Sequence, residues 1–381
     1  MFFSCANLFG LDYVTYADPQ SGQVRNLEGR IVTNFANGIA MELTTGELIF
    51  CRKENIREQN SDNKEFAPLS QAEMVKVVRE EFPDFKVIAS DNFIIAYQTS
   101  DAFADWYRTI LENLNRSFTT FWKNRGVVMK PPEFPLVVVL YTSRPAFQRH
   151  AVDFYGSQES IKNIAGFYHI RKNYIFLYDS SRIHSTAAGT GNVRVTGAAT
   201  ESRATPAQIE EFLKRPGITQ SVDLLVHEGA HQLAYNTGLQ VRWSGCPSWF
   251  TEGIAIIRGT PKRTARNGWE IDLRIDDQRY PDLRRYLRTK PNAPILTVVR
   301  DDVATHVKET QSQSYGMAWG LTFYLMTKHP KEFVEYVGTL NKAAPFTSKT
   351  ADIRQKEFEQ HFGNDWKTLE EDFAREMMRL W

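Results

Sequence analysis

Two of the chain's eight histidines lie four residues apart in the segment "DLLVHEGAHQLAYNTG", which runs from Asp223 to Gly238. A glutamate follows the first histidine, so His227, Glu228 and His231 form an HExxH pattern. On an α-helix, residues four apart differ in direction by only about 40°, so both imidazoles point to the same side. Glu228 is turned by about 100° and can reach a water molecule on a bound metal without binding that metal. The spacing therefore indicates a zinc-binding helix with a base beside it.

The segment is predicted to be helical on independent grounds. Ser221 is a suitable N-cap, and Asp223 suits the first turn of a helix. Gly238 follows Asn236 and Thr237, and a glycine at this position allows the left-handed turn that often ends a helix. We therefore expect one helix to carry the whole HExxH pattern.

A catalytic zinc ion needs a third protein ligand and one open position for water. A metzincin would place glycine at 234 and histidine at 237, but this chain has Ala234 and Thr237. The metzincin subclass is therefore excluded, and the third ligand must lie elsewhere.

The stretch "CPSWFTEGIAIIRG" offers that ligand as Glu252. A short helix is predicted to start at Pro247 and Ser248 and to end at Gly259, and it is apolar except for this glutamate. A carboxylate on such a helix is costly to bury unless it is paired or bound to a metal. Twenty residues separate His231 from Glu252, enough for the second helix to return antiparallel to the first.

An HExxH pattern followed about twenty residues later by W-x-x-E-G-[aliphatic]-A resembles the gluzincin metallopeptidases. More closely, "HEGAHQLAYNTG" with "PSWFTEGIA" is similar to an uncharacterised domain family of zincin-like peptidases, often found in exported bacterial proteins. The resemblance covers roughly residues 90 to 380. It implies His227, His231 and Glu252 as Zn²⁺ ligands, Glu228 as general base, and a mixed sheet beside the active-site helix.

The resemblance implies a zinc-dependent peptidase that hydrolyses peptide bonds through a metal-bound water activated by Glu228, with a peptide or protein as substrate. The alternative is a catalytically silent binding or assembly module that keeps the zincin fold. The sequence favours the enzyme, since all three ligands and the base are present. The resemblance also implies export to the periplasm, cell envelope or exterior. A cytoplasmic location is the alternative.

Two further residues are candidates for roles around the metal. Zincins often carry an acidic residue one turn beyond the ligand glutamate, but this chain has Ile256 there. Asp223, one turn before His227, is a candidate hydrogen-bond partner for a ligand histidine, and the alternative is an ordinary helix-start acid. Tyr315, in "SYGMAWGLTFYLM", is the candidate oxyanion donor because gluzincins carry similar tyrosine-bearing helices; the alternative is core packing.

The elements that must position these residues indicate an α+β fold with a small β-rich domain over residues 1–65. Tight turns at Asn37-Gly38 and Thr45-Gly46 indicate an antiparallel meander or barrel there. The polar run "REQNSDNKEFAPLS" is predicted to be a linker, and residues 66–89 a linker and lead-in helix. Residues 90–381 form the predicted zincin-like domain. The alternative is an N-terminal sheet packed on the main domain.

Within residues 90–381 the patterns predict a mixed sheet followed by helices. Strands are expected at Asn92–Gln98 and Phe134–Tyr141, with a helix at Ala102–Gly126 between them and two further strands within Ala165–Asp179. A Gly/Thr/Ala-rich loop over 185–204 precedes the HExxH helix. A basic, turn-rich stretch follows residue 258, and three helical segments are then predicted at 315–329, 331–340 and 353–380.

Composition excludes several classes of protein. The 46 basic and 45 acidic residues give a net charge of +1, so nothing indicates a nucleic-acid partner. No apolar run approaches the ~18 residues of a membrane-spanning helix. The start, "MFFSCANLFGLDY", lacks a basic region and is a poor signal peptide as written. Three cysteines are too few for a disulfide framework.

Overall fold

A computed structural model of the protein has the predicted α+β architecture, with an N-terminal antiparallel sheet, a central mixed sheet and a helical C-terminal part. It describes residues 10–19, 22–155, 161, 164–180, 204–259, 261–264, 268–271, 275–300 and 311–380. The predicted loop over 185–204 lies outside the described residues, apart from Ala204.

The N-terminal sheet is antiparallel throughout, with the strand order β4-β3-β2-β1-β5. Its strands are β1 Gly10–Ala17, β2 Val24–Phe35, β3 Gly38–Leu43, β4 Leu48–Arg52 and β5 Ile56–Glu65. The turns predicted at Asn37-Gly38 and Thr45-Gly46 are confirmed. The predicted linker is wrong over residues 57–65, which belong to β5. That strand is polar and largely exposed, so it leaves no hydrophobic pattern, and it forms through backbone pairing with β1.

The N-terminal sheet packs against the rest of the protein through buried charges. The guanidinium of Arg242, only 6% exposed, donates to the Glu42 carboxylate and, at 2.6 Å, to the Gly46 carbonyl. The backbone N–H of Leu48 donates to the carbonyl of Arg171 at 2.8 Å. These contacts match the alternative of a sheet packed on the main domain, and independent folding of residues 1–65 stays a prediction.

The central sheet has the strand order β6-β7-β8-β10-β9. Its strands are β6 Lys86–Ala89, β7 Phe93–Tyr97, β8 Leu136–Tyr141, β9 Gly166–His169 and β10 Tyr174–Tyr178. The strands β7, β8 and β10 are parallel and wholly buried, as is usual for parallel strands with helices on both faces. The edge strands β6 and β9 are antiparallel to their neighbours, so the sheet is mixed.

Helices cover both faces of this sheet. Those that contact its strands are α1 Gln71–Glu81, α2 Asp101–Lys123, α3 Arg144–Tyr155 and α5 Ile218–Asn236. Helix α4, Pro206–Leu213, packs on α2 and α5, and α6, Ser248–Gly259, packs on α5. Alternate strand residues face opposite layers: Ile95 and Val138 join the core with α2 and α5, whereas Ile94 and Val137 join the core with α1 and α3. The HExxH helix therefore lies directly on the sheet.

The C-terminal part begins with a hairpin, β11 Pro261–Thr264 and β12 Gly268–Ile271. Its helices are α7 Arg279–Arg288, α8 Pro294–Arg300, α9 Gln311–Lys328, α10 Pro330–Leu340, α11 Ala351–Phe362 and α12 Trp366–Met378. The prediction of one helix over 353–380 is wrong, because Gly363 adopts a φ of +81° and Asp365 caps a new helix. Among the described residues, no helix has the length and apolarity to cross a membrane.

Candidate metal centre and active site

Helix α5 carries the two histidines. It starts at Ile218 after Gly217, which has a φ of +75°, and not at the predicted cap Ser221. Ser221 is buried inside the helix, and its hydroxyl contacts that of Ser180. The helix ends at Asn236, shortly before Gly238, which has a φ of +82°, as predicted. Asp223 consequently lies in the second turn and not in the first.

A glycine in each motif allows a close helix crossing. A Cβ at Gly229 of α5 would lie 2.7 Å from Leu114 Cδ2 of α2. A Cβ at Gly253 of α6 would lie 2.6 Å from the carbonyl oxygen of Ala318 in α9. A larger residue at Gly253 would meet the backbone of α9 and push the two helices apart, whereas one at Gly229 would require the Leu114 side chain to move. The glycine next to Glu252 thus lets α6 approach α9 closely.

His227, His231 and Glu252 converge on one point, as the two motifs predict. The Nε2 atoms of the two histidines are 3.2 Å apart. Glu252 Oε2 lies 3.4 Å from His227 Nε2 and 3.6 Å from His231 Nε2. Among the described residues, this is the group of histidine, cysteine and carboxylate side chains whose donor atoms lie close enough together to hold a metal ion.

The donor triangle fits zinc. Ligands at about 2.0–2.1 Å from a tetrahedral zinc ion stand roughly 3.3–3.4 Å from one another, and the three separations here span that value. Glu252 Oε2 is buried and accepts no hydrogen bond from the described residues. A buried carboxylate oxygen without a hydrogen bond needs another positive partner. A metal ion at the centre of the triangle would satisfy it.

The Glu252 carboxylate is held in the ionised form that binding a cation requires. Burial opposes ionisation of Glu252, but the two histidines hold the pKa of its carboxyl well below the usual range. Burial likewise lowers the pKa of His231, but the Glu252 carboxylate outweighs burial and raises it. The carboxylate is therefore ionised and faces both imidazole nitrogens.

Glu228 lies beside this triangle without belonging to it, and it is held by the neighbouring sheet. The backbone N–H of Tyr168, in edge strand β9, donates to Glu228 Oε2 at 2.7 Å. Burial raises the pKa of Glu228, opposed by the positive charge of His227 and His231 when they are protonated. Its other oxygen, Oε1, has no hydrogen-bond partner among the described residues. The predicted base is thus anchored by one oxygen only.

A buried amide pair joins β9 and β10 to helix α5. The side chains of Asn173 and Asn236 exchange two hydrogen bonds of 2.8 and 2.7 Å. The hydroxyl of Tyr168 donates to Asn173 Oδ1 at 2.8 Å, and Gln232 Nε2 donates to the Asn173 carbonyl at 2.7 Å. Asn173 adopts a φ of +63°, which asparagine tolerates better than most residues. This amide latch, Asn173 with Asn236, holds the strand that contacts Glu228.

A cleft of about 710 Å³ opens beside the metal triangle. Polar residues lining it include Asp223, His227, Glu228, Asp276, Arg279 and Tyr315. The Tyr315 ring lies 6.5 Å from the His227 ring between centroids, and the Arg279 guanidinium carbon lies 4.9 Å from the Tyr315 ring centroid. Tyr315 therefore lies in the cleft with the predicted catalytic residues, and its role as oxyanion donor stays a prediction.

Asp223 lines this cleft but does not support a histidine ligand. No hydrogen bond joins it to either histidine among the described residues. Burial raises the pKa of Asp223 to about 7, with a further contribution from Asp276, while Arg279 opposes the shift. Its carboxylate faces the cleft, so its position suits contact with a substrate better than orientation of a ligand.

Sequence reasoning missed three contributors to the site. Tyr168 acts through its backbone N–H, which no residue type reveals. Arg279 and Asp276 lie in the stretch predicted to be basic and turn-rich. The start of α7 brings them to the cleft, where Asp276 Oδ1 accepts from the Arg279 backbone N–H at 2.7 Å. The sequence contains one signal of this helix start, because Asp276 is an acidic residue just before the first turn.

A family model described as a protein of unknown function, DUF1570, matches residues 221–347. That stretch is about a third of the chain and contains the three candidate ligands, Glu228 and Tyr315. No curated protein matches the chain. The family description names no activity, so the geometry of the site must carry the functional argument.

Proposed function

We propose that the protein is a zinc-dependent peptidase of the gluzincin type. The observation that carries the proposal is the triangle of His227, His231 and Glu252, with donor separations of 3.2 to 3.6 Å, next to a carboxylate that is not part of it. A purely structural zinc site has no need of an open cleft or of a neighbouring base. Here the cleft reaches both His227 and Glu228.

The three triangle residues would hold the metal. When bound, zinc polarises a carbonyl oxygen and lowers the pKa of a coordinated water towards ~7. Glu228 is held at Oε2 by the Tyr168 N–H, which leaves Oε1 to take the proton of the attacking water. The same carboxyl then gives the proton to the leaving amine. The Tyr315 hydroxyl is assigned to donate a hydrogen bond to the oxyanion.

The geometry of the cleft supports a peptide as substrate. Edge strand β9 lies against helix α5, and Gly166 at its start lines the cleft with His227 and Glu228. A volume of about 710 Å³ accommodates several residues of an extended peptide. Polar groups on both sides of the cleft can bind the peptide backbone.

Metal analysis combined with a cleavage screen tests the proposal. The purified full-length chain should hold close to one zinc ion after dialysis against a weak chelator. It should also cleave members of an unbiased peptide library, read by mass spectrometry, and lose this activity when a strong chelator removes the metal. A zinc-loaded protein that cleaves nothing in the library would contradict the proposal, and the protein would then be a binding module.

A further inference from the structure

A second groove adjoins the catalytic cleft. It has a volume of about 460 Å³ and is lined by Asp277, Tyr280, Pro281, Arg284, Arg285 and Arg288. Asp277 also lines the catalytic cleft, so the two depressions meet at this residue. The five other lining residues all lie on helix α7. We call Arg284, Arg285 and Arg288 the arginine groove.

The arginine groove carries a local excess of positive charge. Its walls hold three arginines and one aspartate, whereas the whole chain has a net charge of only +1. Arg285 forms a 3.0 Å ion pair with Asp282. Arg284 and Arg288 have no ion pair among the described residues, so two guanidinium groups in the groove are available to an anion.

Arg284 gives an independent sign of a missing partner. Its Nε atom is buried and makes no hydrogen bond to the described residues. Its guanidinium carbon lies 5.8 Å from the centroid of the Tyr280 ring, which places the cation over the groove's aromatic wall. Basic residues in the last turn of a helix compensate its dipole, which explains Arg285 and Arg288. Arg284 lies before that last turn, so the dipole does not account for it, and it lines the groove without an ion pair among the described residues.

We infer that the arginine groove binds an acidic segment of the peptide substrate through its carboxylates, while the neighbouring segment lies in the catalytic cleft. The second half of this inference rests on the proposed function. Asp276 lines the cleft and not the groove, and Asp277 lies where the two meet, whereas three arginines line the groove, so the balance of charge directs acidic residues to the groove. Arg288 lies nine positions after Arg279, which lines the cleft, so the two are about 13.5 Å apart along the helix, a distance that roughly four extended residues span.

Binding can be tested without any cleavage. Fluorescently labelled decapeptides of glutamate and of lysine, each with flanking glycines, are titrated with the zinc-loaded full-length Glu228→Gln variant at low salt, and anisotropy is recorded. The glutamate peptide should bind more tightly than the lysine peptide, and added salt should weaken it. Adding Arg284→Gln and Arg288→Gln should lower its affinity roughly three- to tenfold.

Two controls separate charge from structure. Arg284→Lys with Arg288→Lys keeps the charges and should retain most of the affinity, and Arg116→Gln removes an exposed arginine on α2 and should change nothing. If the double variant fails to fold, Arg288→Gln alone, at an exposed position, should still lower the affinity for the glutamate peptide.

Absence of glutamate-peptide binding at low salt would overturn the inference, and so would binding that survives the double glutamine substitution. The proposed function is judged separately, by cleavage. If the glutamate peptide binds through the arginine groove but the wild-type protein cleaves no peptide, the inference about the groove stands and the proposed peptidase activity is wrong.

Discussion

The backbone N–H of Tyr168 donates a 2.7 Å hydrogen bond to the carboxylate of Glu228, which joins an edge strand of the sheet to the proposed general base. The Tyr168 ring stacks on Tyr235 of the same helix as Glu228, with centroids 5.7 Å apart and planes 16° apart. The Tyr168 hydroxyl reaches Asn173 in the amide latch. The position of the base therefore depends on residues distant from the metal.

The amide latch gives the first prediction. Asn236→Ala leaves the buried amide of Asn173 with fewer partners, and an unsatisfied buried group costs about 1–3 kcal/mol. We expect that loss in the free energy of unfolding, measured by urea denaturation, and a lower kcat with zinc content unchanged. Asn60→Ala, at an exposed position of β5, is the control. A normal kcat in a clearly destabilised Asn236→Ala variant would show that the latch does not position Glu228.

The third ligand gives the second prediction. Glu252→Ala leaves two imidazoles as ligands, and zinc affinity should fall by at least ~100-fold. Loss of a residue that only supports a ligand already lowers metal affinity by about 10–100-fold, so loss of a ligand should cost more. Competition with a chromophoric chelator measures the affinity. Glu335→Ala, an exposed glutamate of α10, should behave as wild type. Wild-type affinity in the Glu252→Ala variant would remove this residue from the metal site.

The cleft position of Tyr315 gives the third prediction. Tyr315→Phe removes one hydroxyl and keeps the ring beside Arg279, so the fold should be unchanged. If the hydroxyl donates to the oxyanion, kcat should fall by roughly 10²–10³ with little change in KM. Steady-state kinetics on a peptide from the library screen measures both. Turnover close to wild type would return Tyr315 to a packing role.

The buried charges between the N-terminal sheet and the main domain give the fourth prediction. Among the residues that the structure describes, Arg242→Met leaves the carboxylate of Glu42 with Arg30 as its one ion-pair partner, and breaking a buried pair typically costs about 3–5 kcal/mol. Denaturant unfolding should show a loss of this order. Lys86→Met breaks a more exposed pair with Asp101 and should cost under about 1 kcal/mol. A loss under about 1 kcal/mol in the Arg242→Met variant, as small as that expected of Lys86→Met, would mean that the buried pair contributes little.

Much of the metal site follows from local sequence rules. The direction of His227 and His231 is set by helix periodicity, and Glu252 stands out because it is charged on an apolar helix. Residue type alone predicts that Gly238 and Gly259 end the two helices, and the helices end close to or at these glycines. These features needed no knowledge of distant residues, and the structure places all three predicted ligands together.

The remainder depends on contacts between distant residues or on the backbone. The pairing of Asn173 with Asn236 joins residues 63 apart in the chain, and no local pattern announces it. Strand β5 is polar because it lies at an edge, so its sequence resembles that of a linker. Helix α5 starts earlier than predicted because Gly217 adopts a left-handed conformation directly before it. Ser221 has the residue type of a good N-cap, but it lies inside the helix.

In the proposed reaction Glu228 works as a base and not as a ligand, and Glu228→Gln tests this role most directly. Glutamine keeps the size of the side chain and can still accept from the Tyr168 N–H, but it cannot take a proton. The variant should bind zinc as wild type does and lose at least ~10²–10⁴-fold in kcat on any peptide that the wild type cleaves. A zinc-loaded Glu228→Gln variant that cleaves at the wild-type rate would contradict the account.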